Sequence, residues 1–443
     1  MPFDKERLAG LLTAIDADWR DARLCVGYSG GLDSTVLLHA SAALAAAEGV
    51  QLRALHVDHG LHSESGEWAK ACRQTCADLG VALEILAVKV LPPHGASVEA
   101  AARVARYAAI AAALADRERF LAAHHRDDQL ETVLIQLFRG AGVAGLAAMP
   151  ARARLGRGWL LRPLLEVGRE ELAEYAHRRG LAWTRDPMNE SERFDRAYLR
   201  RQVLPAIRER WPAAAMTAAR SASHLAEASR LLGELAAADA AALLDDGRLL
   251  IEGLVRLPRD RRVNVLRWWL RQEGLKSPPA VRLEAGLAEL LEARPDAAPS
   301  LRWEGGEIRR YRGRLYALAP LPVPARAPPD RAAASIELGP GLGNFALIAG
   351  CEGGLHVPPG IEATLGFRNG GESLRPHPGR PRKRLKDLCQ EAGIVPWLRD
   401  RLPLVYVGGR LAAVADLWID VGFAAGPGTS AVKPVWAGRP RLF

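Results

Sequence analysis

Cysteine is scarce in this 443-residue chain: Cys25, Cys72, Cys76, Cys351 and Cys389 are the five present. An odd number at scattered positions argues against a disulfide framework and points to a reducing compartment. Long hydrophobic runs are also missing. The best membrane candidate, TVLLHASAALAAA, is too short and is broken by His39 and serines. The N-terminal MPFDKERLAGLL carries acids and no apolar core, so it does not read as a secretory signal. No internal repeat and no GxxxxGK[ST] phosphate loop occur. These absences make a cytoplasmic protein without a membrane partner the expectation.

What is present is an ordinary globular composition, 49% hydrophobic and 25% charged. The length suggests several domains, each large enough to bury a core. Lys and Arg number 60 against 51 Asp and Glu, giving +9 and a pI near 9.6. Such an excess suits a polyanionic partner such as RNA or DNA, although a solvated basic surface gives the same count.

From Arg23 to about Phe138, short β-rich runs (RLCVGYS, LRALHVDHG, ALEILAVK, RFLAAHH) each precede an amphipathic helical stretch. That alternation predicts βαβ units, a parallel doubly wound α/β sheet with helices on both faces. Ligands of such sheets bind beyond the carboxyl ends of the strands, where Ser29, His56–His59 and His124–Asp128 fall. We expect this domain over 1–212 and a mainly helical domain over 213–319. The latter holds an Ala/Leu-rich stretch, the basic helix RDRRVNVLRWWLRQEG and a closing hairpin in LRWEGGEIRRYRGRLYAL. A proline-rich linker over 320–335 leads to a small α+β domain over 336–443.

Two stretches carry the chemistry. In VGYSGGLDSTVLLHA a strand runs into a helix through paired glycines. A strand-to-helix turn of this kind presents free amides and the positive end of a helix dipole, suited to phosphate. In HHRDDQLET, Asp128 and Glu131 share a face of the helix that follows the fourth strand. Paired carboxylates at a helix start can hold an ammonium group or take a proton from it. They could also merely complement the helix dipole, as Asp127 could.

Ser29-Gly30-Gly31-Leu32-Asp33-Ser34 resembles the SGGxDS loop of the PP-loop (N-type ATP pyrophosphatase) superfamily, whose fold is adenine nucleotide alpha hydrolase-like. HHRDDQLET resembles the HxxDDxxET motif of the tRNA(Ile)-lysidine synthases through His124, Asp127, Asp128, Glu131 and Thr132. EAAARVARYAAI resembles their EAxAR-xxRY helix through Glu99, Ala100, Arg103, Arg106 and Tyr107. HVDHGLH resembles their second-strand motif through His56, His59, Gly60 and Leu61, and RGAGVAGLAAM their following loop. RDPMNESERFDRAYLRRQVLP resembles a further segment through Asp186, Pro187, Asn189, Arg196, Arg200, Leu204 and Pro205, with Met188 and Ala197 departing from the usual Ser and Asn. The basic stretch and PWLRD near the C-terminus resemble the long form of the family, so the likeness covers nearly the whole chain.

The resemblance implies a ligase that uses ATP and Mg²⁺ to join free lysine to the wobble cytidine of a CAU-anticodon isoleucine tRNA. The cytidine C2 oxygen attacks the α-phosphorus and pyrophosphate leaves; the lysine ε-amine then attacks C2 and AMP leaves. It implies that Ser29, Gly30, Gly31, Leu32, Asp33, Ser34 and His56 bind the nucleotide, with Asp33 holding the metal. Arg106 (or Arg103, one turn away) and Arg196 become candidates to stabilise the α-phosphate and the base. Asp128 and Glu131 become candidates to hold the lysine and take its proton, with His124, Arg103 and Arg200 in the substrate site. A homodimer is left open. The competing readings are another PP-loop ligase or tRNA-modifying enzyme and a non-catalytic RNA-binding scaffold.

Three other features compete. GAGVAG at 140–145 fits a dinucleotide fingerprint but follows a helix, the wrong context. Cys72 and Cys76 near His56, His59 and His62 invite zinc, yet core cysteines fit better. RPHPGRPRKRLK carries Arg375, Arg380, Arg382, Lys383, Arg384 and Lys386 and no acid. We expect Arg380, Arg382, Lys383, Arg384 and Lys386 to contact RNA phosphates, with a solvated loop as the alternative.

Overall fold

The computed structural model describes residues 2–58, 60, 65–88, 98–184, 195–294, 297–322, 335–349, 353–426 and 428–441. Most of the proline-rich stretch, His59, Leu61, His62, Asp186, Pro187, Met188, Asn189, Cys351 and the side chains of Glu99 and Ala100 lie outside the described residues. The chain divides into two compact units, Met1–Leu232 and Gly233–Phe443.

The first unit is built on strands β1 (Leu24–Gly27), β2 (Leu52–Asp58), β3 (Ala82–Ala87), β4 (Arg119–Leu121), β5 (Arg152–Leu155) and β6 (Gly158–Leu161), in the order β3-β2-β1-β4-β6-β5. All neighbours run parallel except β5 and β6. Helices α1 (Lys5–Ile15), α2 (Leu32–Glu48), α3 (Ser65–Asp78), α4 (Val98–Ala113), α5 (Arg126–Phe138), α6 (Val143–Leu146) and α7 (Arg169–Arg178) surround it. The two-residue period of a strand divides the core between two faces. Val26, Ala54, Leu121 and Leu161 point into one cluster with residues of α1, α2 and α7. Their neighbours Cys25, Leu55, Phe120 and Leu160 point into the other, with Ile110 of α4. Burial on both faces is why these strands read as continuous apolar runs. The close fit is visible at Gly27, where a Cβ would meet the Phe120 ring at 2.5 Å.

Strand order reverses between β1 and β4, so the crevice expected of a doubly wound sheet opens beyond Gly27 and Leu121. Both motif stretches follow those two strands. Cys72 and Cys76 are buried in the first core cluster, and burial pushes their thiols up to about 12 and about 11.

The second unit differs from the expectation of a mainly helical segment with a hairpin. A five-stranded antiparallel sheet runs β7 (Leu244–Asp245), β8 (Arg248–Leu250), β9 (Ser300–Trp303), β10 (Gly306–Tyr311) and β11 (Arg314–Leu318), ordered β7-β8-β11-β10-β9. The hairpin is thus part of a larger sheet. Asp246 and Gly247 take positive φ (49° and 78°) between β7 and β8, as Arg312 and Gly313 do (46° and 74°) between β10 and β11. Positive φ at both central residues is what a tight hairpin turn requires. Leu249, Leu301, Ile308 and Leu315 pack on Leu266, Trp269 and Leu270 of the basic helix Arg259–Gln272 and on Leu283, Leu287 and Leu290 of the next. The C-terminal portion packs antiparallel strands and the helix Leu385–Glu391 around Leu388, Cys389, Ile394, Val405 and Trp436. No helix among the described residues is long and apolar enough to cross a membrane.

Candidate active site

The glycine turn after β1 is held open by its own hydroxyls. The Ser29 amide donates to Ser34 Oγ at 3.2 Å, the two Ser Oγ atoms lie 3.0 Å apart, and Ser34 Oγ donates to the Gly31 carbonyl at 3.0 Å. Gly30 has φ +83°, which only glycine adopts without strain, and a Cβ there would also press on Cys72 Sγ at 3.1 Å. Gly31 is the N-cap of α2, and no side chain caps that helix. The first-turn amides of Leu32, Asp33 and Ser34 therefore face the crevice, a ready anion site. Asp33 is not the cap. Its Oδ1 is buried without a hydrogen-bond partner among the described residues, an oxygen of the kind a hard cation takes. His56 lies beneath the loop, buried, its Nδ1–H donating to the Tyr28 carbonyl at 2.9 Å.

Across the crevice, α5 starts at the turn after β4. Its N-cap is His125, whose Nδ1 accepts from the Asp127 amide at 3.2 Å, while Asp128 Oδ2 accepts from the His125 amide at 3.0 Å. The cap fixes Asp128 and Glu131 side by side, 6% and 1% exposed. Arg200 reaches both, donating to Glu131 Oε1 at 2.5 Å, Glu131 Oε2 at 3.1 Å and Asp128 Oδ1 at 2.8 Å. Arg196 lies 4.0 Å from Asp128 Oδ1 and donates to Thr132 Oγ1 at 3.1 Å. Asp127 accepts from Arg208 at 2.5 Å and from the Arg169 amide at 3.0 Å. Gln129, on the opposite side of the helix, exchanges two 2.9 Å bonds with Met149 and anchors the chain beyond 140–145.

The two carboxyls that share the Arg200 guanidinium are pushed apart. Burial raises Glu131 above the ordinary carboxylate range, and the Arg200 bonds only partly offset it. Burial acts on Asp128 too, but His125, the His125 amide and Arg200 together hold it below that range. Environments that separate two neighbouring carboxyls divide their tasks: one stays ionised, the other can carry a proton.

The adjacent histidines separate as well. Burial, reinforced by Arg162, Arg103 and Arg196, drives His124 down to about 3, so it stays neutral, and Arg162 Nε donates to its Nδ1 at 3.3 Å. His125 is also buried, but the carboxylates of Asp127, Asp33 and Asp128 around it win, raising it to about 10. The Asp127 amide bond to Nδ1 belongs to the neutral ring, and on protonation that nitrogen turns donor toward Asp127 Oδ2. Its Nε2 lies 3.6 Å from both Asp33 Oδ2 and Asp128 Oδ2, and its Nδ1 lies 3.5 Å from Asp127 Oδ2. His125, Arg162 and Arg208 were not singled out from sequence. For Arg162 a signal existed: it directly follows β6, at the carboxyl end of a parallel strand.

Arg103 stacks on Tyr107 with its guanidinium 5.1 Å from the ring centroid, and it lies close enough to His124 to lower it. Arg106 sits on the same helix, α4, and has an interaction partner. In the second unit, Arg382 is tied to Asp420 at 2.9 Å and Lys383 to Glu391 at 2.7 Å. Arg380, Arg384 and Lys386 are exposed and have no ion pair among the described residues.

Comparison with known proteins adds three matched segments. Residues 5–207 match the family model described as a PP-loop domain, 249–316 the TilS substrate binding domain, and 363–436 the TilS substrate C-terminal domain. A tRNA(Ile)-lysidine synthase of Alkalilimnicola ehrlichii is 45% identical over 91% of this chain and 92% of its own length. The tRNA(Ile)-lysidine synthase of Methylococcus capsulatus is 41% identical, covering 91% and 93%, and that of Coxiella burnetii 40%, covering 96% and 94%.

Proposed function

The chain belongs to the tRNA(Ile)-lysidine synthases, ATP-dependent ligases built on a PP-loop domain, and from that premise we propose how its residues divide the reaction. Lysine is joined to the wobble cytidine of the isoleucine tRNA that carries a CAU anticodon, in two steps on opposite sides of one crevice.

In the first step the cytidine C2 oxygen attacks the α-phosphorus of ATP. The amides of Leu32, Asp33 and Ser34 and the hydroxyls of Ser29 and Ser34 receive the charge that grows on the departing pyrophosphate. The orphaned Asp33 Oδ1 is the oxygen that would hold a Mg²⁺ ion, and among the described residues no group of three or more acidic, His or Cys side chains is arranged to hold a metal by itself. That ion would supply charge neutralisation at the phosphates. Arg196 and an arginine of α4, Arg103 or Arg106, face the α-phosphate and the base.

In the second step the lysine ε-amine attacks C2 and AMP leaves. An ammonium with an ordinary pKa near ~10.4 needs a base before it can attack. Glu131, raised by burial, is the better acceptor of that proton, and Asp128, held ionised, the better partner of the positive charge. Arg200 fills the ammonium's seat between them beforehand. It withdraws when lysine arrives, drawn by the phosphate now attached to the base. His56 supports the loop through Tyr28, and neutral His124 packs with Arg162. The second unit holds the tRNA, with Arg380, Arg384 and Lys386 on phosphates; Arg382 and Lys383 shape that surface through their ion pairs.

The observation that carries this reading is the 3.6 Å approach of one imidazole to Asp33 and to Asp128, which brings the two motifs to one crevice. The test is purified protein with ATP, Mg²⁺, radiolabelled lysine and CAU-anticodon isoleucine tRNA, with elongator methionine tRNA as comparison. Label should enter the isoleucine tRNA alone, with AMP and pyrophosphate released. ATP cleavage without label in RNA would redirect the search to another acceptor.

A further inference from the structure

His125 does more than a helix cap requires. An Asn or Ser in its place would accept the Asp127 amide equally well. The imidazole instead turns its second nitrogen away from the helix, into the space between two carboxylates that come from different strands' ends. It meets the Oδ2 atom of each, Asp33 and Asp128, at 3.6 Å, ion-pair range and longer than a hydrogen bond. The Oδ1 atoms are thereby left clear of the imidazole. That of Asp33 is the orphaned oxygen, and that of Asp128 faces Arg200 and Arg196. His125 is 2% exposed and Asp128 6%, while the Asp33 side chain keeps 31% of its surface exposed, so solvent screens these charges only from the Asp33 side. Without the imidazole, the two carboxylates would lose the one group within ion-pair range of both Oδ2 atoms.

We propose that His125 is a positioning residue shared by both halves of the reaction: by gripping the Oδ2 atoms of Asp33 and Asp128 it aims one Oδ1 at the nucleotide side and the other at the amine. The inference rests on the division of labour proposed above. It predicts that one substitution disturbs two partial reactions which otherwise use different residues and different substrates.

Two variants separate capping from positioning. In His125→Asn the amide oxygen falls where Nδ1 caps the helix, but nothing reaches the carboxylates. In His125→Gln the amide nitrogen falls where Nε2 lies. In full-length protein we would measure the thermal midpoint, the tRNA-dependent burst of pyrophosphate against ATP concentration without lysine, and label incorporation against lysine concentration. His125→Asn should fold but melt below the wild type, because the carboxylates lose their shared partner. It should raise the KM for both ATP and lysine, each by about ten- to a hundredfold, as is usual when a group that orients a functional side chain is lost. His125→Gln should recover most of both. The proposal is overturned if His125→Asn matches the wild type, or if only one of the two KM values moves. Should Asn prevent folding, a Gln variant whose KM values are no better than those of His125→Ala overturns it too. Wild-type protein that fails to label tRNA sinks the functional reading instead, a distinguishable result.

Discussion

Replacing Arg200 by methionine tests whether its guanidinium stands in for the substrate's ammonium. The side chain makes three bonds of 2.5 to 3.1 Å to two carboxyls almost without solvent contact. The Arg200 side chain is itself 40% exposed, so solvent screens part of the pair, and the cost of removing it falls from the full buried-pair value to about 1–3 kcal/mol. At about 2–4 °C per kcal/mol for a unit of this size, the first unit should melt about 5 °C lower. Protonation of Glu131 relieves part of that. Its pKa is already raised, so its neutral form suits the fold, and its ionisation costs stability as pH rises above the ordinary carboxylate value. The deficit should therefore be smaller at pH 5 than at pH 8. Lysine then discriminates. In Arg200→Met the seat is vacant, and lysine at a hundred times its dissociation constant should restore about 2.7 kcal/mol, while norleucine, which lacks the ε-ammonium, restores nothing. Wild-type protein without tRNA or ATP should show little lysine-dependent stabilisation. Differential scanning fluorimetry over a lysine series reads all of this. A variant that melts with the wild type, or equal lysine shifts in both proteins, would refute the reasoning.

Asp33→Asn should lower the pyrophosphate burst by about 10²–10³-fold and move its Mg²⁺ dependence to higher concentration, with lysine affinity unchanged; a quenched-flow assay over a Mg²⁺ series checks this. His124 is neutral in the fold down to about pH 3, whereas in the unfolded chain it protonates near 6.5. Its contribution is thus complete above pH 6.5 and is lost as pH falls toward 3, about 2 kcal/mol of it by pH 5. His124→Gln should flatten the acid limb of the stability curve by that amount, measured by urea unfolding at pH 7 and pH 5. Replacing Arg380, Arg384 and Lys386 together by alanine should raise the KM for tRNA and reduce the slope of log affinity against log salt by about 0.9 per lost phosphate contact, leaving the lysine KM alone. An unchanged salt slope would return the stretch to a solvated surface.

The sheet was legible because strand and helix periods alternate cleanly between Leu24 and Leu121, and because polar residues cluster where strands end. Asp128 and Glu131 were legible from their spacing on one helix face. Which of two adjacent histidines faces the crevice was not, because at a strand-to-helix turn neither period holds. Sequence reading favoured His124, while His125 meets the carboxylates. Arg382 and Lys383 read as free cations since their partners, Asp420 and Glu391, are separated from them in sequence. Asp246-Gly247 between LLD and RLL was a readable hairpin signal, concealed by the helix-forming alanines before it.

The antiparallel edge of the first unit bears on how the chain acquires its shape. β5 and β6 pair from Arg152↔Leu161 to Leu155↔Gly158 around Gly156, where any Cβ would strike the Ala111 carbonyl at 2.2 Å. A hairpin of this kind closes within about 1–10 μs, whereas parallel partners wait for a whole crossover to be arranged. β1, β2 and β3 can meet as they leave the ribosome, but the other edge of β1 stays open until β4 has been made and β6 has given it a neighbour. The glycine loop and the start of α5 meet across that late seam. The earliest-synthesised part of the nucleotide site is thus completed by one of the last pairings of its domain, and during that interval the exposed apolar edge is where a chaperone would take hold.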